Sequence, residues 1–187
     1  MAGVADCIVQ PAELAGVRHH VAISIVGIER IPHSYYEAKV AQERAVREGG
    51  VPWTIVRASQ FHELLDAAFA ATARARILLA PDAQLQPVDS RHVGDVLASL
   101  ASGEPLQAWE HVAGPRVERF GDLARTWREM TGQRAAIIRL PLPRKLSVPL
   151  AGGALVPADG VVGGPSFAAW LAARAAGTTP ARTRVAT

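Results

Sequence analysis

Residues 21–60 read VAISIVGIERIPHSYYEAKVAQERAVREGGVPWTIVRASQ, and this stretch decides the fold. It opens on an apolar run, Val21 to Ile28, in which nearly every residue is apolar. That pattern predicts a strand buried on both faces, the habit of parallel sheets flanked by helices. Beyond Pro32 the pattern changes to a helical one, expected from Ser34 to Glu48 and stopped by Gly49 and Gly50. Pro52 then leads into a second apolar run, Trp53 to Val56, in the strand WTIVR. Strand, helix and strand in this order make one βαβ unit. It carries Ser24 in the first strand and Tyr35 and Lys39 on the helix.

The alternation continues outward. A helix is expected from Phe61 to Ala73, then a short strand from Ile77 to Leu79 stopped by Pro81. Residues 86–90 read as a short strand feeding a helix, with Asp89 or Ser90 as N-cap. The buried face of that helix would carry Val93, Val96, Leu97 and Leu100. Further strands are expected at Ala108–Val112 and Ala135–Leu140, with a helix between them from Phe120 to Met130 ending at Gly132. Arg144 to Leu155 reads as a helix that Pro149 should break, and Ser166 should cap a last helix, Phe167–Ala175. Before the βαβ unit, Ile8 to Ala15 reads as a short helix. The class is therefore α/β. Residues 1–176 are expected to form a single domain, and 177–187 a disordered polar tail.

Composition narrows the function. The chain has 187 residues, 49% apolar and 20% charged, enough for one domain with a sizeable core. The formal charge is +3, but the basic residues form no run and no aromatic interleaving, which argues against nucleic acid as a partner. No apolar run approaches the ~20 residues of a membrane helix, and the N-terminus lacks a signal-peptide pattern. The lone Cys7 is expected to be a buried small apolar residue, which fits a cytoplasmic protein. The four tryptophans (53, 109, 127 and 170) are spaced as core residues. His62 and Asp66, four apart, offer too few ligands for a metal.

Tyr35 and Lys39 share a helix face. A fixed ammonium lowers the pKa of a nearby phenol, which can then exchange a proton with a carbonyl or alcohol oxygen while hydride moves to carbon. A serine on the adjoining strand can hold the same oxygen. The pair is also what an ordinary solvated helix face looks like. Glu43 offers Lys39 a surface ion pair one turn on, and Tyr36 competes with Tyr35 at three residues from the lysine. The arginine bias gives weight to the lysine: of 20 basic residues only Lys39 and Lys145 are lysine.

The Ser24 strand, the YYEAK segment, VPWTIVRASQFHEL and the later QPVDSRHVGDVL together resemble the atypical short-chain dehydrogenase/reductases, in particular the NmrA-like, NAD(P)H-binding group. The resemblance runs from about Glu13 to Leu140. It implies Ser24, Tyr35 and Lys39 as the catalytic set. It implies NADP or NAD as cofactor, with Lys39 on the nicotinamide ribose and Arg57, Ala58, Ser59 and Phe61 in the loop beside the nicotinamide. It further implies a small-molecule substrate and a small C-terminal substrate-side region. The family opens with a glycine-rich phosphate loop, and no such loop is present in this sequence. The expectation is a partial Rossmann-like domain, doubly wound with a mainly parallel sheet. It would be either a piece of a longer enzyme or a short product with weak cofactor binding. On this reading the Val21 strand becomes an exposed edge through which a homo-oligomer can form. Two functions follow: an NAD(P)-dependent oxidoreductase, or a non-catalytic relative that binds a dinucleotide or a protein as a regulator.

Overall fold

The computed structural model describes residues 15–177. The expected Ile8–Ala15 helix (Ala15 apart), the burial of Cys7 and the tail beyond Gly177 lie outside the described residues. The βαβ unit is present: strand β1 (His20–Ile25), helix α1 (Ser34–Glu48) and strand β2 (Trp53–Ala58). The two strands pair in parallel from His20 opposite Trp53 to Ile25 opposite Ala58. Strand β5 (Trp109–Ala113) pairs in parallel with β2, and the two-residue β8 (Val161–Val162) pairs in parallel with β5. The order in this sheet is β1-β2-β5-β8. Strands β3 (Ile77–Pro81) and β7 (Ala136–Leu140) form a second parallel pair, and β4 (Gln84–Leu85) with β6 (Glu118–Arg119) a short antiparallel one. The fold is α/β with mainly parallel sheet.

The helices are α2 (His62–Ala73), α3 (Ser90–Ala101), α4 (Phe120–Thr131), α5 (Arg144–Ala151) and α6 (Phe167–Ala175). Their ends follow local chemistry. Asp89 caps α3 by accepting from the Arg91 N–H, Ser166 caps α6, and Gly132 closes α4 in the left-handed region. Neighbouring residues of β2 serve opposite faces of the sheet. Ile55 packs with Ala22, Val46 and Trp53 under α1, whereas Val56 packs with Val88, Val93 and Val112 under α3. The largest cluster joins α2, α4 and α6 through Leu65, Phe69, Leu123, Trp127, Phe167 and Trp170.

Four local expectations need correction. Strand β3 runs through Pro81, which sits opposite Leu140 at the end of the ladder, where one missing donor costs little. Pro149 stands inside α5, but the helix ends two residues later, so little ladder is lost. Trp109 is 39% exposed, because it opens the strand and lies at the rim of the sheet. Finally, β1 is buried on one face only: Ala22 and Ser24 are buried while Ile23 is 38% exposed. That follows from its place at the end of the strand order. The bonds His20 N–H to Pro52 O and Val26 N–H to Ala58 O show that even-numbered residues of β1 turn their backbone toward β2. The backbone groups of Val21, Ile23 and Ile25 therefore face away from the sheet, and no strand among the described residues pairs with that edge.

Gly27 joins the end of β1 to a distant part of the chain. Its φ is +75°, and a Cβ there would lie 1.8 Å from the carbonyl oxygen of Ala154. Only a glycine lets the two backbones come this close. The contact brings the region after α5 against the C-terminal end of β1.

Candidate functional site

At that end of β1 lies a cavity of about 570 Å³, within the range of small-molecule sites. Four parts of the chain line it. Strand β1 gives Ile23, Ser24 and Ile25; the segment into α1 gives Ile31, His33, Tyr35, Tyr36 and Lys39. The end of β2 and the loop after it give Ala58, Ser59, Gln60 and Phe61, with Leu64 following on α2, and α5 contributes Leu146 and Leu150. The site thus collects the C-terminal ends of two parallel strands and the start of the crossover helix, where α/β sheets place ligands.

Ser24, Tyr35, Lys39, Ala58, Ser59 and Phe61 all line this cavity, while Arg57 does not. Arg57 lies opposite Ser24 in the β1–β2 ladder, and its guanidinium is committed under α1. Its Nε and Nη2 donate to the two carboxylate oxygens of Glu43 at 2.9 and 2.7 Å. A second carboxylate, Glu29, lies 3.4 Å from Nη1. The indole N–H of Trp109 gives Glu43 a further donor at 3.0 Å. Burial pushes the Glu43 carboxyl up, but the bonds from Arg57 and Trp109, the nearby Ser24 hydroxyl and the Arg57 charge hold it below its ordinary value. The Lys39–Glu43 surface pair that the spacing also allowed is not formed: Glu43 turns inward to Arg57.

Lys39 has other partners. Its Nζ donates to the carbonyl oxygen of Ile23 at 3.2 Å and to Gln42 Oε1 at 3.0 Å. The Ile23 carbonyl belongs to the outward edge of β1, so the ammonium covers one acceptor that the sheet leaves open. Ser24 is 4% exposed, and its hydroxyl lies next to Glu43 with no hydrogen bond of normal length. The two tyrosines differ. Tyr36 packs against the main core, and burial, with Tyr35 beside it, pushes its phenol above the ordinary value. Tyr35 is 55% exposed at the cavity mouth.

Several lining residues were not singled out from sequence. His33 caps α1: its Nδ1 accepts the Tyr35 backbone N–H at 3.2 Å, which places the ring proton on Nε2. Leu146 and Leu150 come from beyond the stretch that carried the motifs; their only signal was a four-residue apolar spacing. Gln60 sits inside the RASQF segment, but its side chain gave no sign of its environment. The loop itself is firmly held. Ser59 Oγ donates to the Gln86 carbonyl, and the Phe61–Val88 bridge is flanked by Val88 N–H to Gln60 O at 2.9 Å and His62 N–H to Val88 O at 3.0 Å.

His62 and Asp66 are used structurally. Burial pushes the His62 imidazole down, and its Nε2 lies 3.1 Å from the Pro165 oxygen. Asp66 accepts from the Trp127 indole at 2.8 Å and pairs with Arg174. Among the described residues no group of three or more His, Cys, Asp or Glu is placed to hold a metal, and no helix is long and apolar enough to cross a membrane.

The cavity suits one part of a dinucleotide. Its walls are apolar enough for a nicotinamide ring, and Lys39 lines it, while the Ser24 hydroxyl is shut off from solvent beside Glu43. Lys39 is the one cation among the described lining residues, so a diphosphate finds no grip here comparable to a glycine-rich loop at a helix N-terminus.

No protein-family model matches the chain. Over 136 residues it is 32% identical to the (4-alkanoyl-5-oxo-2,5-dihydrofuran-3-yl)methyl phosphate reductase of Streptomyces griseus, a match that takes in 70% of this chain and 46% of that protein. The chain thus spans about half the length of the curated relative it matches. The fold resembles an NADPH-dependent quinone oxidoreductase of Escherichia coli, solved with NADPH, at a TM-score of 0.71 and 15% identity, over 88% of this chain and 68% of that one. It also resembles a nucleoside-diphosphate-sugar epimerase of Staphylococcus aureus at a TM-score of 0.68 and 14% identity, over 89% and 69%. At these identities the likeness establishes a Rossmann-like fold.

Proposed function

We propose that the chain carries the nicotinamide and substrate end of an NAD(P)-dependent oxidoreductase acting on a small carbonyl, alcohol or related compound. One observation carries this reading: a single cavity is lined by Ser24, Tyr35, Lys39 and the Ala58–Phe61 loop, which the sequence brought together only by motif. The reductase name of the Streptomyces relative and the NADPH bound by the quinone oxidoreductase point the same way.

The residues take defined roles. When bound, the dinucleotide supplies or accepts hydride. Tyr35 donates a proton to the substrate oxygen in reduction and removes it in oxidation. It suits this role better than Tyr36, whose buried phenol is driven away from the anionic form. The Lys39 ammonium holds the ribose, after turning from Ile23 O. Ser24 holds the substrate oxygen. The apolar wall of Ile31, Phe61, Leu64, Leu146 and Leu150 excludes water and selects a substrate without strong charge.

The second reading is a non-catalytic dinucleotide- or protein-binding regulator. It is favoured by the present engagement of Lys39 with Ile23 and Gln42. Titration of the chain with NADPH and NADH, followed by fluorescence, tests both, with Lys39→Ala alongside. Micromolar binding that weakens about tenfold or more in the variant supports the oxidoreductase. A folded sample that binds neither dinucleotide at millimolar concentration rejects it for this chain.

A further inference from the structure

Gln60 is the least satisfied polar side chain of the cavity wall. Both its amide oxygen and its amide nitrogen are shut off from solvent, and neither has a hydrogen-bond partner among the described residues. The residue is not adrift. Its own carbonyl accepts from Val88 N–H, the next residue but one donates to Val88 O, and Ser59 before it is tied to Gln86. The loop is thus fixed, and Gln60 lines the cavity, so its amide would meet a ligand there by turning about its own side-chain bonds. The same cavity is lined by Ile31, Phe61 and Leu64, whose side chains offer no donor or acceptor. A buried amide left open in apolar surroundings discriminates strongly, because a ligand without the matching groups leaves it unpaired.

We propose that Gln60 is a ligand-reading residue of this cavity and that it takes a planar carboxamide edge, a donor beside an acceptor, on an uncharged group. This rests on the oxidoreductase reading for the cavity's use. Such an edge has two sources: the carboxamide of a nicotinamide ring, or an amide carried by the substrate.

The test uses NADPH, its 3-acetylpyridine counterpart and benzamide as probes, on the wild-type chain and Gln60→Leu. The 3-acetylpyridine compound keeps the carbonyl but has a methyl in place of the amide nitrogen. If the ring is the source, wild type prefers NADPH by about tenfold or more, and Gln60→Leu flattens that preference. If the substrate is the source, both dinucleotides bind both proteins alike, while benzamide shifts the Gln60 side-chain NH₂ resonances and binds about tenfold more weakly to the variant. Binding of benzamide that depends on Gln60, with no dinucleotide bound, upholds Gln60 and rejects the oxidoreductase. Removal of an unpaired amide should leave the melting temperature unchanged or raised. A Gln60→Leu protein that melts like wild type and binds all three probes as wild type does overturns the proposal, and so does a marked fall in melting temperature with unchanged binding.

Discussion

The Glu43–Arg57 pair offers a test of how this fold is held. In Arg57→Met the Glu43 carboxylate loses its bonds at 2.9 and 2.7 Å and keeps the Trp109 indole at 3.0 Å. The Glu43 side chain is 7% exposed and that of Arg57 15%, so water cannot readily replace what is lost. Removing one partner of such a buried pair costs about 3–5 kcal/mol. Replacing both, in Glu43→Leu/Arg57→Met, leaves no orphaned charge and should cost about 1 kcal/mol or less, so the double variant is the more stable one. The pH dependence has a defined sign. In wild type the Glu43 carboxyl is held below its ordinary value, so its contribution is present above the carboxylate range and lost as pH falls through the folded pKa. In Arg57→Met burial dominates and the folded pKa rises, so protonation relieves the buried charge. The penalty of the single variant therefore shrinks between pH 7 and pH 5. Urea unfolding of the three proteins at both pH values measures this. A single variant less than about 1 kcal/mol below wild type, or a double variant worse than the single, would refute the reasoning.

Other outcomes follow from named residues. Burial holds the His62 imidazole below its ordinary value, despite the bond to Pro165, so folding is opposed as pH falls below about 6.5 and the unfolded chain takes up the proton. The loss of thermal stability between pH 7 and 5.5 should be smaller in His62→Gln than in wild type; equal slopes would count against it. Gly27→Ala should cost about 3 kcal/mol or more, since it combines a positive φ with a Cβ driven into Ala154 O, and an unchanged melting temperature would show that the two loops part freely. The outward edge of β1 should pair with a second copy of the chain. Ile23→Pro removes one outward N–H without touching the β2 ladder, and light scattering should show a dimer for wild type and a monomer for the variant. A wild-type monomer at every concentration would end that idea.

Much of the fold was legible because local chemistry and tertiary structure agree. Ser34–Glu48, bounded by Pro32 and two glycines, forms the predicted helix, and Phe167–Ala175 starts at its predicted cap. The errors arose where long-range contact decides. Nothing local distinguishes a Glu43 that serves Lys39 from one that turns inward to Arg57, which lies on another strand. Trp109 was assigned to the core by spacing, although its position at the strand start leaves one face open. The motif residues of the cavity were legible from the spacing of Tyr35 and Lys39 and from the resemblance. Its apolar wall was not, because Leu146 and Leu150 reach the site through a backbone crossing that only Gly27 permits.

That crossing has a consequence for biosynthesis. The motif residues leave the ribosome before the leucines that close their cavity and before the Ala154 backbone that locks against Gly27. A nascent chain therefore holds its tyrosine and lysine beside an unfinished apolar surface until α5 and the segment after it have emerged. The site matures only when that helix docks, and a chaperone that shields Ile23, Ile31 and Phe61 during this interval would guard the nascent chain when it is most prone to aggregate.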